Sequence, residues 1–251
     1  GAGEAGIGIA DLIVAAMRQE GLQEPEARGR CWFVDSKGLV VKSRAELAEH
    51  KLAYAHDHDF QPDLPAAVEM LKPTALIGVS AQKGTFTKPV VEAMARINER
   101  PIIFALSNPT AKAECTAEEA YTWTHGRAIF ASGSPFASVL VEGRTYVPGQ
   151  GNNAYIFPGV GLGVISCGVR HVTDEMFLAA ARALSQAVTA NDIVKGSIYP
   201  DISHIRELSA VIAAAVAEVG YKRDLATVPM PKKLPAYIRS QMYEPVYQEY
   251  A

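Results

Sequence analysis

Apolar residues recur along this chain in alternating blocks, and the blocks change period. Residues 4–20 carry apolar positions at helical spacing and stop at Gly21, which predicts a helix with a glycine C-terminal cap. Cys31-Trp32-Phe33-Val34 is a short aromatic and β-branched run, predicted as a buried strand ending at Asp35. Residues 64–71 read as a helix and 74–80 as a strand ending in small residues. A helix at 90–98, a strand at 101–106, a helix at 117–124 with Thr116 as N-cap, and a strand at 128–131 continue the alternation. Strands alternating with helices of about ten residues predict a parallel sheet with right-handed crossovers. From residue 146 the pattern changes. A Gly/Asn cluster at 147–155 reads as a loop, and helices follow at 160–169, 173–189 and 202–219. The small residues of 160–169 imply close packing against another helix or a cofactor. The expectation is an α/β, Rossmann-like, doubly wound parallel sheet with added C-terminal helices and an extended tail. Residues 1–228 form the dinucleotide-type domain, its first strand missing ahead of the glycine turn, and 229–251 an extended arm.

The chemistry starts at the first residue. Gly1-Ala2-Gly3-Glu4-Ala5-Gly6 is a G-x-G-x-x-G turn running into a helix. Gly1 would allow the turn, Gly3 the approach of a pyrophosphate, and Gly6 the packing of helix on sheet. The helix start near Glu4 and Ala5 offers free N–H groups to an anion. Alone the motif is weak, but helix, strand and Asp35 follow in order, and an acid there can reach the adenosine ribose; the alternative is an aspartate capping a turn. Ser36, Lys37 and Lys51 lie where a 2′-phosphate would be, although both lysines also fit an ordinary surface. His50, His56, Asp57, His58 and Asp59 lack a defined metal-ligand spacing, and a solvated loop is expected there. Strand ends at Val79-Ser80, Ser107-Asn108 and Ser132–Phe136 place small and amide residues where open α/β sheets bind ligands.

Composition narrows the classes. The 251 residues are 49% hydrophobic, enough for a substantial core, and the formal net charge of −3 argues against general nucleic-acid binding. No apolar stretch is long enough to predict a membrane span. Three widely spaced cysteines suggest reduced thiols in a cytoplasmic or organelle-matrix protein.

Taken together, Gly-Ala-Gly-Glu-Ala-Gly at 1–6, Val-Asp-Ser-Lys-Gly-Leu at 34–39, Lys-Pro-Thr-Ala-Leu-Ile-Gly-Val at 72–79, Glu-Arg-Pro-Ile-Ile-Phe-Ala-Leu-Ser-Asn-Pro-Thr at 99–110, Phe-Ala-Ser-Gly-Ser-Pro-Phe at 130–136 and Pro-Gly-Gln-Gly-Asn-Asn at 148–153 resemble the C-terminal, cofactor-binding portion of malic enzyme. The resemblance covers essentially the whole chain. It implies a dinucleotide turn on Gly1, Gly3 and Gly6, where many members carry alanine at the last position and either small residue should serve. It implies a ribose acid on Asp35, an NADP-type phosphate site on Ser36, Lys37 and Lys51, and a nicotinamide pocket lined by Val79 and Ser80. Asn108 and Asn153 would contact malate, and Asn152 the nicotinamide side. The family's acid/base lysine and tyrosine, its malate-binding arginine and its metal carboxylates lie upstream of the turn, so no catalytic or metal residue is expected here and the chain alone should be inactive. The whole enzyme would use NADP with Mg²⁺ or Mn²⁺ to turn malate into pyruvate and CO₂, as a homo-oligomer assembled through the missing half and the tail. NAD preference, or a non-catalytic nucleotide-sensing or assembly module, are the alternatives.

Overall fold

The structure is a computed structural model describing residues 1–244 and 246. It divides into two compact units, 1–151 with 190–199, and 152–189 with 200–251. That division does not coincide with the expected boundary after residue 228.

The first unit opens with α1 (Glu4–Gln19) and α2 (Glu24–Gly29), then a hairpin of β1 (Val34–Asp35) and β2 (Gly38–Leu39). A 3₁₀ turn at Glu49–Tyr54 leads to α3 (Leu64–Leu71), where Asp63 caps by accepting from the Ala66 amide at 2.9 Å. The alternation that follows is β3 (Ala75–Gly78), α4 (Lys88–Ile97), β4 (Ile102–Ala105), α5 (Ala117–Trp123) and β5 (Ile129–Ser132). Thr116 and Glu119 form a reciprocal capping box at the start of α5. After the antiparallel pair β6 (Val139–Val141) and β7 (Arg144–Tyr146) comes β8 (Gly149–Gln150). The main sheet is parallel, in the order β3-β4-β5-β8, a Rossmann-like α/β arrangement. Ile103, Phe130, Met94, Val91 and Tyr121 are fully buried in its core.

Two expectations change here. The 31–34 run does not join the parallel sheet; only Val34 and Asp35 pair, antiparallel, with Gly38 and Leu39. Among the described residues, the outer edge of β3 has no strand partner, and an apolar cavity of about 600 Å³ lies beside it, lined by α1, α3, β3 and residues 30–34. Residues 34–35 pair instead within their own hairpin. The 147–155 cluster is not all loop, because Gly149 and Gln150 form β8 against Ala131 and Ser132.

The second unit is helical: α6 (Phe157–Cys167), α7 (Asp174–Gln186), α9 (Ile205–Lys222) and α10 (Leu234–Ser240), while α8 (Ala190–Val194) belongs to the first unit. The small residues of α6 meet another helix. A Cβ on Gly159 would stand 2.6 Å from Ile212 Cγ2, and one on Gly163 2.6 Å from the Ala213 carbonyl, both on α9. The stretch expected as an extended arm contains α10, whose Leu234 and Ile238 are buried against Cys167, Ala213 and Ala217. Periodicity of two buried positions four apart drives this, and residues 245 and 247–251 of that stretch lie outside the described residues.

Candidate functional site

The glycine turn is built by close approach. Gly1 packs on Ser80, with an ideal Cβ 3.1 Å from the Ser80 Cβ, and a Cβ on Gly6 would collide with the Gly1 carbonyl oxygen. The expectation that alanine would serve at Gly6 therefore fails in this geometry. Gly3 is different. It is the N-cap of α1 with φ −91° and ψ −179°, open to any residue, and a Cβ there meets nothing within 4 Å. Nothing in the protein requires glycine at this position, whereas a ligand lying over the helix start would. α1 has no side-chain cap, so the amides of Glu4, Ala5 and Gly6 are left for an anion.

Beside the turn lies a polar recess of about 560 Å³, lined by Asp35, Ser36, Lys37, Arg44, Glu46, Leu47, Ala48 and Lys51. The 3₁₀ turn at Glu49–Tyr54 ties it to α1: His50 Nε2 is 3.3 Å from the Ala2 carbonyl oxygen, and the Tyr54 hydroxyl donates to Asp11 at 2.7 Å. The same turn brings Lys51 Nζ to Asp35 Oδ2 at 2.6 Å. Arg44 donates through Nη1 to Oδ1 at 3.0 Å and through Nη2 to Oδ2 at 3.1 Å, and the Lys37 amide reaches Oδ1 at 2.9 Å. Burial pushes the Asp35 carboxyl up, but the bonds from Arg44, Lys51 and the Lys37 amide outweigh it and hold it down at about 2. All four acceptor positions of that carboxylate are thus in use. Lys37 Nζ and Ser36 are exposed at the rim, with Glu46 3.6 Å from Lys37 Nζ. Three cations face two carboxylates, leaving the recess net positive.

Arg44 is the residue that sequence reasoning left out. It sits nine positions after Asp35 with no helical or strand spacing to it, and only the hairpin brings the two together. The expected histidine loop is also more engaged than supposed. His50 lies on the glycine turn, and His56 Nε2 is 2.8 Å from the Cys31 carbonyl with its ring 4.2 Å from that of Trp32.

At the other strand ends, Val79 is half-buried and Ser80 exposed after β3. Asn108 follows β4, its Oδ1 accepting from Ser134 Oγ at 3.0 Å. In the second unit, Asn152 Oδ1 accepts from the Ala154 amide at 2.8 Å and caps a short 3₁₀ turn, while Asn153 is exposed. Among the described residues, no group of three His, Cys, Asp or Glu side chains could hold a metal ion, and no helix is long and apolar enough to cross a membrane.

The family description "Malic enzyme, NAD binding domain" matches residues 1–221. The chain is 54% identical over 251 residues to an NADP-dependent malic enzyme of Rattus norvegicus and 55% identical over 253 to one of Vitis vinifera, covering 99% and 100% of this chain. It spans 44% and 43% of those proteins' lengths. Among solved structures, Entamoeba histolytica malic enzyme superposes with a TM-score of 0.66 at 22% identity, over 84% of this chain and 41% of that one, a likeness of fold. That of Pyrococcus horikoshii gives 0.51 at 28% identity over 67% and 34%. With the glycine turn, the recess and the parallel sheet in place, the chain belongs to the malic enzyme NAD-binding domain family.

Proposed function

We propose that this chain is the NADP-binding portion of an enzyme that oxidises and decarboxylates malate. The observation that carries the cofactor choice is the saturated Asp35 carboxylate. An NAD-type site needs a free carboxylate oxygen to accept from the ribose hydroxyls. Here Arg44 and Lys51 occupy those oxygens. Asp35 then acts as the clamp that holds two cations toward a 2′-phosphate, with Ser36 and Lys37 at its rim. Gly1, Gly3, Gly6 and the amides of Glu4 and Ala5 would cradle the pyrophosphate, and Val79 and Ser80 the nicotinamide. NADP, when bound, supplies the hydride acceptor. Asn108, Asn152 and Asn153 would orient malate and the carboxamide.

The described residues do not fit a divalent metal. No proton or metal step is therefore assigned to them, and Mg²⁺ or Mn²⁺ is read as held by other parts of the enzyme. A homo-oligomer in the cytoplasm or an organelle matrix completes the reading, supported by the family resemblance and by three free cysteines.

Calorimetric titration with NADP and with NAD tests the assignment. Tight NADP and weak NAD binding is expected; equal affinity would overturn the phosphate site. The chain alone should produce no pyruvate from malate with Mg²⁺ or Mn²⁺.

A further inference from the structure

Ser134 lies in the loop after β5 and is 5% exposed, while Asn108, in the turn after β4, faces solvent. Their side chains meet: Ser134 Oγ donates to Asn108 Oδ1 at 3.0 Å. Among the described residues this is the one hydrogen bond of the Ser134 hydroxyl. A buried hydroxyl has to place its single proton on an acceptor, and the acceptor here is the carboxamide oxygen. Turning the carboxamide over would set its NH₂ against the hydroxyl and leave that proton without a partner. The bond therefore fixes which way the amide faces. Its oxygen is turned toward the protein, and both Nδ2 hydrogens have no protein acceptor among the described residues.

Ser134 is itself held in place. Its carbonyl accepts from Ser132 Oγ at 2.8 Å, the Gly133 amide donates to the Ala105 carbonyl at 3.0 Å, and Gln150 Nε2 reaches the Gly133 carbonyl at 3.3 Å. A Cβ on Gly133 would collide with the Leu106 carbonyl, so the two strand ends are already in close backbone contact. They are tied together without the Ser134 side chain, and a tether is not what its hydroxyl adds. What it adds is a fixed orientation for an exposed side chain, and that fixing costs conformational entropy.

We propose that Ser134 is a positioning residue that presents the Asn108 amide as a pure donor, so that Asn108 selects an ionised carboxylate on the substrate. This rests on the reading of Asn108 as a malate-binding amide and adds the polarity of the contact. Two outward N–H groups bond a carboxylate oxygen with charge assistance and offer nothing to a hydroxyl or ammonium proton. Without the Ser134 hydroxyl the carboxamide is free to turn over, and half of its orientations then present an oxygen to an anion.

Two measurements test this. In the ¹⁵N-labelled chain, the Asn108 Nδ2 protons should show weak or no NOE to the Ser134 β-protons; strong cross-peaks would turn the amide the other way and overturn the proposal. In the full-length malic enzyme that carries this domain, Ser134→Ala should raise the KM for malate roughly three- to tenfold, the range of one lost hydrogen bond, with kcat and the KM for NADP moving far less. Asn108→Ala should raise the KM at least as far, and adding Ser134→Ala to it should change nothing more, because the hydroxyl acts through the amide. A merely structural role would be felt equally in both backgrounds and in the KM for NADP, and either result overturns the proposal. If Ser134→Ala does not fold, Ser134→Cys, close in size and a weak donor, carries the same expectation. An Asn108→Ala enzyme with the wild-type KM for malate would overturn the malate reading of Asn108 itself, a different result from an Asn108 effect without a Ser134 one.

Discussion

Arg44 grips Asp35 with both ends of its guanidinium, Nη1 to Oδ1 at 3.0 Å and Nη2 to Oδ2 at 3.1 Å. Both side chains are largely buried, 10% and 14% exposed. A planar fork on a planar carboxylate fixes orientation as well as charge. The pair makes Asp35 the anchor of the cationic recess.

Removing Lys51 should therefore be selective. Lys51→Ala is expected to weaken NADP binding by roughly ten- to a hundredfold, the range for a lost charge-assisted hydrogen bond, and to leave NAD nearly unchanged. Equal losses for the two cofactors in parallel titrations would rule out the phosphate assignment.

Acid should loosen the same anchor. The Asp35 carboxyl is held below its ordinary value of 3.8, at about 2, so its stabilising contribution is full above pH 3.8 and fades as pH falls toward 2. Asp35→Asn should be less stable than wild type by about 2 kcal/mol at pH 7. Denaturant titrations at stepped pH would show the gap closing between about pH 4 and pH 2; a gap that persists at pH 2 contradicts the anchor.

Gly3 and Gly6 should separate binding from folding. Gly6→Ala places a Cβ on the Gly1 carbonyl and is expected to destabilise by roughly 1–3 kcal/mol. Gly3→Ala meets no protein atom, so thermal stability should hold while dinucleotide affinity falls. Unimpaired binding by Gly3→Ala would place the pyrophosphate elsewhere.

In the helical unit, Gly163→Ala should cost roughly 1–3 kcal/mol, because its Cβ would press on the α9 backbone at Ala213, which cannot rotate away. A stability curve superimposable on wild type would mean that α6 and α9 separate readily.

The sequence by itself determined what depends on neighbours along the chain. The glycine turn running into α1, the β3-α4-β4-α5-β5 alternation, the Thr116 cap and the small residues at strand ends follow from local periodicity and capping chemistry, which need only a few residues to express themselves. Tertiary structure decided the rest. Arg44 and Lys51 reach Asp35 across 9 and 16 residues through a hairpin and a 3₁₀ turn, and no spacing rule encodes that meeting. Gly149 and Gln150 carry no apolar signal and become β8 because their backbone pairs with β5. Residues 31–34 look like a sheet strand by composition, yet among the described residues only Val34 pairs, in the hairpin. Glu114 is 1% exposed, and no local pattern around it announces that burial. Its burial exists only because two strand ends, folded side by side, turn their amides onto it.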